Sequence, residues 1–305
     1  MADVAMYEAK RLGLRHARYD ERSDPHGRDR LEMIGDLRDA IDSWAFHLHY
    51  QPVVEVSTGR VAAVEALIRW RHPVRGDLDP AVFIPLAEQA GLIPQITRVV
   101  VDLAAAQVAE LRSAGHDLSV SVNVSAKDLV DEGLADHVVR CLERHGVPVS
   151  CMVLEITETA LTDDPARSRR TLDALRSAGV RIAIDDFGVG YSSLTKLLEL
   201  PVDEIKLDRS FVTPIDHDRR AQAIVRSTVE LALTLGLTVV AEGIETEGAL
   251  RFVTDHGVDR VQGYLIQVPL DGGALATYLA EHPIALAPAG ERLPAEFRPT
   301  GRVRP

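Results

Sequence analysis

The sequence has only two cysteines in 305 residues, Cys141 and Cys151. That is too few for a disulfide framework, and the pair shows no metal-ligand spacing. Long apolar runs are missing as well: no uninterrupted stretch approaches the roughly 20 residues a membrane helix needs. The first residues, MADVAMYEAKRL, are amphipathic and charged, with neither an apolar signal core nor a cleavage site, which argues against secretion. A reducing cytoplasm and no membrane contact from this segment are therefore expected. Positive charge is scarce: 34 Lys and Arg stand against 46 Asp and Glu, a net charge of −12. No Lys/Arg cluster is dense enough to displace counterions from a nucleic acid polymer, so that class of partner is excluded. A phosphate-ester ligand would need something to mask the carboxylates.

The 46% of hydrophobic residues can fill a large core, and α/β barrels reach this length as one unit. Eight β-branched runs read as strands: FHLHYQPVVEV, RVAAVEALIRW, LSVSVNVS, CMVLEIT, VRIAIDDF, VDEIKLD, LTVVAEGI and RVQGYLI. Helical patterns lie between most of them. ITRVVVDLAAAQVAELRSAG has Gly115 as its stop, and PARSRRTLDALRSAG starts at Pro165 and stops at Gly179. This alternation predicts a (β/α)8 barrel with a parallel sheet. Only STGR separates the first two runs, so they form a hairpin and one barrel strand runs antiparallel. Residues 1–19 read as a helix with an apolar stripe of Val4, Met6, Ala9 and Leu12, joined by a polar link. The last residues, from about 285 to 305, are rich in Pro, Gly and charge and read as a flexible tail.

Polar residues collect at the predicted strand ends: Gln51, Glu65 with Arg69, Asn123, Glu155 with Glu158, Asp185 with Asp186, Lys206 with Asp208, Glu242 with Glu245, and Gln262. In a parallel barrel these ends meet on one face, where such enzymes hold their active sites. A ring of acids disfavours its own ionisation unless cations sit within it. Carboxylate and amide oxygens, without Cys or His among them, suit Mg²⁺ or Mn²⁺ rather than zinc. Asp185 and Asp186 are consecutive, so they share a face only where the strand departs from regular alternation. There they would serve two metals, which clamp the attacking and leaving oxygens of a displacement at phosphorus. Lys206 is either a salt-bridge partner or a group that orients the nucleophilic water. Gly188 and Gly190 either satisfy turn geometry or let a loop close over the site. The eleven histidines show no H-E-x-x-H arrangement and read as structural or surface groups.

YQPVVE, EALIRW, VNVSA, LEITET, DDFGVGYSSL, IKLDRSF, AEGIET and VQGY occur in the order found in EAL-domain cyclic di-GMP phosphodiesterases, over residues 31 to about 284. The resemblance implies a modified barrel with one antiparallel strand, and hydrolysis of 3′,5′-cyclic diguanylate to linear 5′-pGpG with Mg²⁺ or Mn²⁺, two per site. It implies that Glu65, Asn123, Glu155 and Asp185 hold one metal, and that Asp185, Asp186 and Glu242 hold the second. Lys206 resembles the lysine that contacts the nucleophilic water, with Glu242 the other candidate for general base. Gln51, Arg69, Asp208, Glu245 and Gln262 resemble substrate-contacting or supporting positions. Glu158 resembles the anchor of the loop after the Asp pair, with Gly188 and Gly190, at a homodimer interface. GVG replaces the commoner residues of that loop, and QGYLIQVPL departs from the usual continuation. ADVAMYEAKRLG, within residues 1–30, resembles the last helix of a GGDEF domain; no cyclase signature accompanies it. Two other classes compete: a catalytically silent cyclic di-GMP receptor acting through a partner, and a barrel aldolase using Lys206 as a Schiff-base amine.

Overall fold

The structure, a computed structural model, describes residues 25–157, 160, 164–189, 200–283 and 285. The expected helix at 1–19, Glu158, Gly190 and the expected tail beyond Ala285 lie outside the described residues. Among the described residues, ten strands occur in chain order: β1 (Phe46–Glu55), β2 (Val61–His72), β3 (Gly76–Leu78), β4 (Ser119–Val124), β5 (Met152–Thr157), β6 (Arg181–Phe187), β7 (Glu204–Leu207), β8 (Thr238–Ala241), β9 (Arg260–Val261) and β10 (Leu270–Asp271). β2 and β4 to β9 pair in parallel, and β1 closes the barrel by pairing antiparallel with both β2 and β9. The eight strands expected from the sequence are thus the eight staves, and the antiparallel one is the first. The short β3 and β10 are additions to the expectation; each pairs antiparallel with a barrel strand and extends one edge.

The hairpin turn forms because Gly59 takes φ +70, its N–H donating to the Glu55 carbonyl, while Thr58 Oγ1 donates to the Glu55 carboxylate at 2.8 Å. Helices alternate with the parallel strands. Ile93–Ser113 ends two residues before the left-handed turn at Gly115, and Pro165–Ser177 begins on an Asp164 side-chain cap and ends two residues before Gly179. Both stops fall where the sequence placed them, since an αL residue after a helix favours glycine.

Period-2 alternation sorts each strand into two sets. Val120, Val122, Val124, Leu154, Ile156, Ile182, Ile184, Ile205 and Val239 join the main core, packed beneath the surrounding helices. The other set points into the barrel, where Val53, Ala63 and Val240 form a small separate apolar plug. Below the plug, Arg260 Nη1 meets Glu204 at 2.8 Å. Toward the other end lie Gln51, two residues before Val53 on the antiparallel β1, Glu65 and Glu242, two residues after Ala63 and Val240, and the inward Glu155 of β5 and Lys206 of β7. The same alternation that builds the outer core therefore delivers the polar residues to one end of the lumen.

Candidate active site

Lys206, the last inward residue of β7, is 2% exposed and stands at the centre of this end. Its Nζ lies 2.6 Å from Glu242, 2.8 Å from Glu155, 3.3 Å from Asp185 and 3.4 Å from Glu65. Three strands, β2, β5 and β6, and the residue that follows β8 thus aim carboxylates at one ammonium. Burial disfavours the charged lysine, but Glu155, Glu242, Glu65 and Asp185 outweigh it and hold Lys206 well above its ordinary pKa. A lysine fixed as ammonium has no lone pair for Schiff-base chemistry, which removes the basis of the aldolase reading.

The acids respond unequally. Burial raises Glu155 well above the usual carboxylate range; Lys206 opposes this, while Glu65 and Asp185 add repulsion. Glu242 is pushed up to about 7, first by burial and then, against Lys206, by Asp185 and Glu65. Glu65 is also buried, yet Lys206 and hydrogen bonds from Gln262 and Asn123 bring it below the ordinary value. Those bonds are short: Asn123 Nδ2 donates to Glu65 Oε1 at 3.0 Å and Gln262 Nε2 to Glu65 Oε2 at 2.6 Å. Gln262 Nε2 also donates to Gln51 Oε1 at 3.0 Å, whose own amide donates to the Gln267 carbonyl. The Gln262 Oε1 atom is buried and accepts no hydrogen bond from the described residues.

Asp185 and Asp186 share the site through a break in the sheet. The β6–β7 register shifts between Ile184 and Phe187, and Asp186 takes φ +52. A non-glycine residue in the left-handed region is uncommon, and Asp and Asn are among those that tolerate it best. The Asp185 carboxylate accepts the Asp186 N–H at 3.0 Å. Carboxylate oxygens of Asp185, Asp186 and Glu242 all lie within 4.8 Å of one another. Asp186 is raised to about 6 by burial, by the charges of Asp185 and Asp208, and by its hydrogen bond with Asp208. Asp208 also caps the short helix Arg209–Val212 by accepting the Ser210 N–H at 3.0 Å.

A cavity of about 190 Å³ opens beside the acids, lined by Gln51, Glu65, Asp185, Glu242, Glu245 and Gln262, and also by Arg209 and Tyr264. Neither of the last two was assigned from the sequence. Arg209 directly follows the KLD run and Tyr264 completes QGY, so position within those runs was the available signal. Arg69 is not in this cavity. It lines an adjoining one of about 610 Å³ together with Asn123, which borders both sets of residues. Gly188 sits at φ +97 with the Phe211 ring 3.1 Å from where a Cβ would stand, so a side chain there would be strained and crowded.

Residues 34–269 match the family described as EAL domain. The chain belongs to the EAL-domain family. It is similar to the bifunctional diguanylate cyclase/cyclic di-GMP phosphodiesterase MucR of Pseudomonas aeruginosa, 41% identical over 281 residues that make up 92% of this chain and 41% of that protein. The cyclic di-GMP phosphodiesterase NbdA of the same organism is 39% identical over 289 residues, 94% of this chain and 37% of the relative. The chain spans about two fifths of the length of these curated relatives. Among solved structures, the PaMucR phosphodiesterase in its c-di-GMP complex has a TM-score of 0.75 at 42% identity, covering 80% of this chain and 99% of that one. The FimX EAL domain from Pseudomonas aeruginosa bound to c-di-GMP has a TM-score of 0.72 at 26% identity, covering 78% and 96%.

Proposed function

We propose that this chain is a metal-dependent phosphodiesterase that hydrolyses cyclic di-GMP to linear 5′-pGpG, using two Mg²⁺ or Mn²⁺ ions. The observation that carries the reading is the enclosure of Lys206 by Glu65, Glu155, Asp185 and Glu242, next to the Asp185–Asp186–Glu242 oxygen cluster. Family membership and the activities in the names of MucR and NbdA support it.

The residues fit hard divalent cations: every candidate ligand is an oxygen donor, and three carboxylates already converge within one coordination shell. Glu65, Asn123, Glu155 and Asp185 would hold one ion and Asp185, Asp186 and Glu242 the other. When bound, such a pair activates water and neutralises charge developing at phosphorus. Lys206, shared among four acids, donates hydrogen bonds and keeps the ring compact. Glu242 has the most exposed side chain of those four acids and lines the cavity, which supports it over Lys206 as the group that would accept the proton of the attacking water. The water oxygen bonds to phosphorus, the P–O3′ bond breaks, and the 3′ oxygen takes up a proton. Gln51, Glu245 and Gln262 contact substrate, Arg69 offers its guanidinium to a phosphate, and Asp208 supports Asp186.

The remaining parts of the reading rest on the resemblance. Residues 1–30 would be the end of a GGDEF domain, 31–284 the catalytic barrel and 285–305 a tail; Glu158, Gly188 and Gly190 would belong to a loop bordering a homodimer interface. No helix among the described residues is long and apolar enough to cross a membrane, and we place the activity in the cytoplasm. Chromatography after incubation with cyclic di-GMP should yield pGpG with Mg²⁺ or Mn²⁺ and none with a chelator. Intact dinucleotide, bound but unconverted at every metal concentration, would overturn the proposal and favour the silent receptor.

A further inference from the structure

A second group of ligand-type side chains lies on the outside of the barrel, away from the lumen. Cys141 and His145 are four residues apart on the helix Leu134–His145, so they share one face. That face packs against the helix Ile93–Ser113, which contributes Asp102. The Cys141 Sγ lies 3.1 Å and the His145 Nε2 3.0 Å from the same oxygen, Asp102 Oδ1. All three ligand atoms fall within 4.8 Å of one another.

We infer that Asp102, Cys141 and His145 form a separate cation site suited to a borderline-soft divalent ion of the zinc class. Zn–S near 2.3 Å and Zn–N or Zn–O near 2.0 Å imply tetrahedral edges of about 3.3–3.5 Å, so the Sγ–Oδ1 and Nε2–Oδ1 separations need widen by only a few tenths of an ångström to admit the ion, with the third edge closing from within 4.8 Å. The donor set of thiolate, imidazole and carboxylate is one that Zn²⁺ accepts and Mg²⁺ does not favour. It therefore separates this site from the all-oxygen set in the barrel.

The competing account is a hydrogen-bonded network in which Asp102 accepts from the thiol, from His145 and from Arg144, whose Nη1 lies 2.9 Å from Oδ1 and 3.1 Å from Oδ2. Two features favour the ion. Sulfur, imidazole nitrogen and carboxylate oxygen all lie within 4.8 Å of one another, close enough to share one coordination sphere. The Arg144 contact to Oδ2 can persist while Oδ1 binds, leaving the guanidinium as the outer partner that orients a ligating carboxylate. Cys141 is fully buried, whereas His145 and Asp102 reach solvent, which gives an entry path and room for water as a fourth ligand. Binding breaks the Cys141 S–H bond, forms the metal–sulfur bond and releases the proton to solvent; His145 binds as neutral imidazole through Nε2. The ion would clip the two outer helices together.

The test uses the full chain with excess Mg²⁺ to occupy the oxygen donors, titrated with Co²⁺. One equivalent should give thiolate-to-cobalt charge-transfer absorption that Zn²⁺ bleaches. Cys141→Ser should abolish the band, and His145→Gln should weaken binding roughly tenfold or more. Cys151→Ser and Asp186→Ala should keep it. Circular dichroism of each variant reports folding, and the partly exposed His145 carries the test should Cys141→Ser not fold. Absence of the band in the wild-type chain, or its survival in Cys141→Ser, would overturn the site and leave the hydrogen-bonded network.

Discussion

Lys206 and Glu155 form a buried ion pair at 2.8 Å, with side chains 2% and 1% exposed. Removing one partner of such a pair strands the other charge, which costs about 3–5 kcal/mol, whereas the net worth of the intact pair is small. Lys206→Met would strand four acids in the metal-free protein. It should lower unfolding stability by about that amount, and Glu155→Gln by less, because Lys206 keeps three carboxylates. Equal denaturant midpoints for Lys206→Met and wild type would show that Lys206 does not neutralise the ring.

Asp186 separates backbone strain from chemistry. Its φ of +52 disfavours most side chains, and glycine relieves that cost. Asp186→Gly should match or exceed wild-type thermal stability yet lose turnover, and Asp186→Asn should keep stability with the same loss. Asp186→Val should be destabilised, because a β-branched residue fits this region poorly. Full activity in Asp186→Gly would remove the carboxylate from the site.

The metal-free protein should lose stability as pH rises. Glu242 at about 7 and Asp186 at about 6, with Glu155 also raised, bind protons more tightly when folded than ordinary carboxyls near 4 do when unfolded. Between about pH 4 and 7 the folded chain therefore holds more protons, and stability falls with increasing pH. Glu65, Asp77 and Asp102 and the imidazoles of His47, His49 and His137 are lowered and pull the other way, each by a smaller displacement than those of Glu242, Asp186 and Glu155. With a chelator, the melting temperature should be lower at pH 8 than at pH 5, and Mg²⁺ should shrink the difference. A chelated protein that is more stable at pH 8 would contradict the charge assignment.

Gly263 marks a close approach behind the site. A Cβ there would stand 2.2 Å from the Ile244 carbonyl oxygen and 2.3 Å from its nitrogen, both backbone atoms that cannot swing aside. Gly263→Ala should cost about 1–3 kcal/mol as overpacking and displace the neighbouring Gln262 amide, lowering turnover. Gly35→Ala, on an open helix surface, should gain slightly. Unchanged stability in Gly263→Ala would mean the backbone yields there.

Much of this arrangement was legible because it is local. Runs such as VRIAIDDF and VDEIKLD announce buried strands, and barrel topology alone brings Glu65, Asp185 and Lys206 together across the sequence. The break that lets Asp185 and Asp186 share a site was visible only as a conflict with strand alternation; its solution, a register shift with a left-handed Asp186, depends on β7. Strands β3 and β10 are two or three residues long, too short for a period to register. Arg69 reads like its site neighbours but lines the adjoining cavity, because it stands two inward positions beyond Glu65 on β2. The meeting of Asp102 with Cys141 and His145 depends on how two helices pack, and the spacing of the cysteines alone concealed it.

On the proposed function, the carboxylate ring around Lys206 performs the chemistry. The most direct test is pGpG formation from saturating cyclic di-GMP and Mg²⁺ by the wild-type chain, Glu65→Ala and Lys206→Ala, with folding checked for each. Turnover in the wild type and a loss of roughly a hundredfold or more in both variants is expected, in the range of removing a principal electrostatic group. Wild-type turnover in either variant would place the chemistry outside this ring.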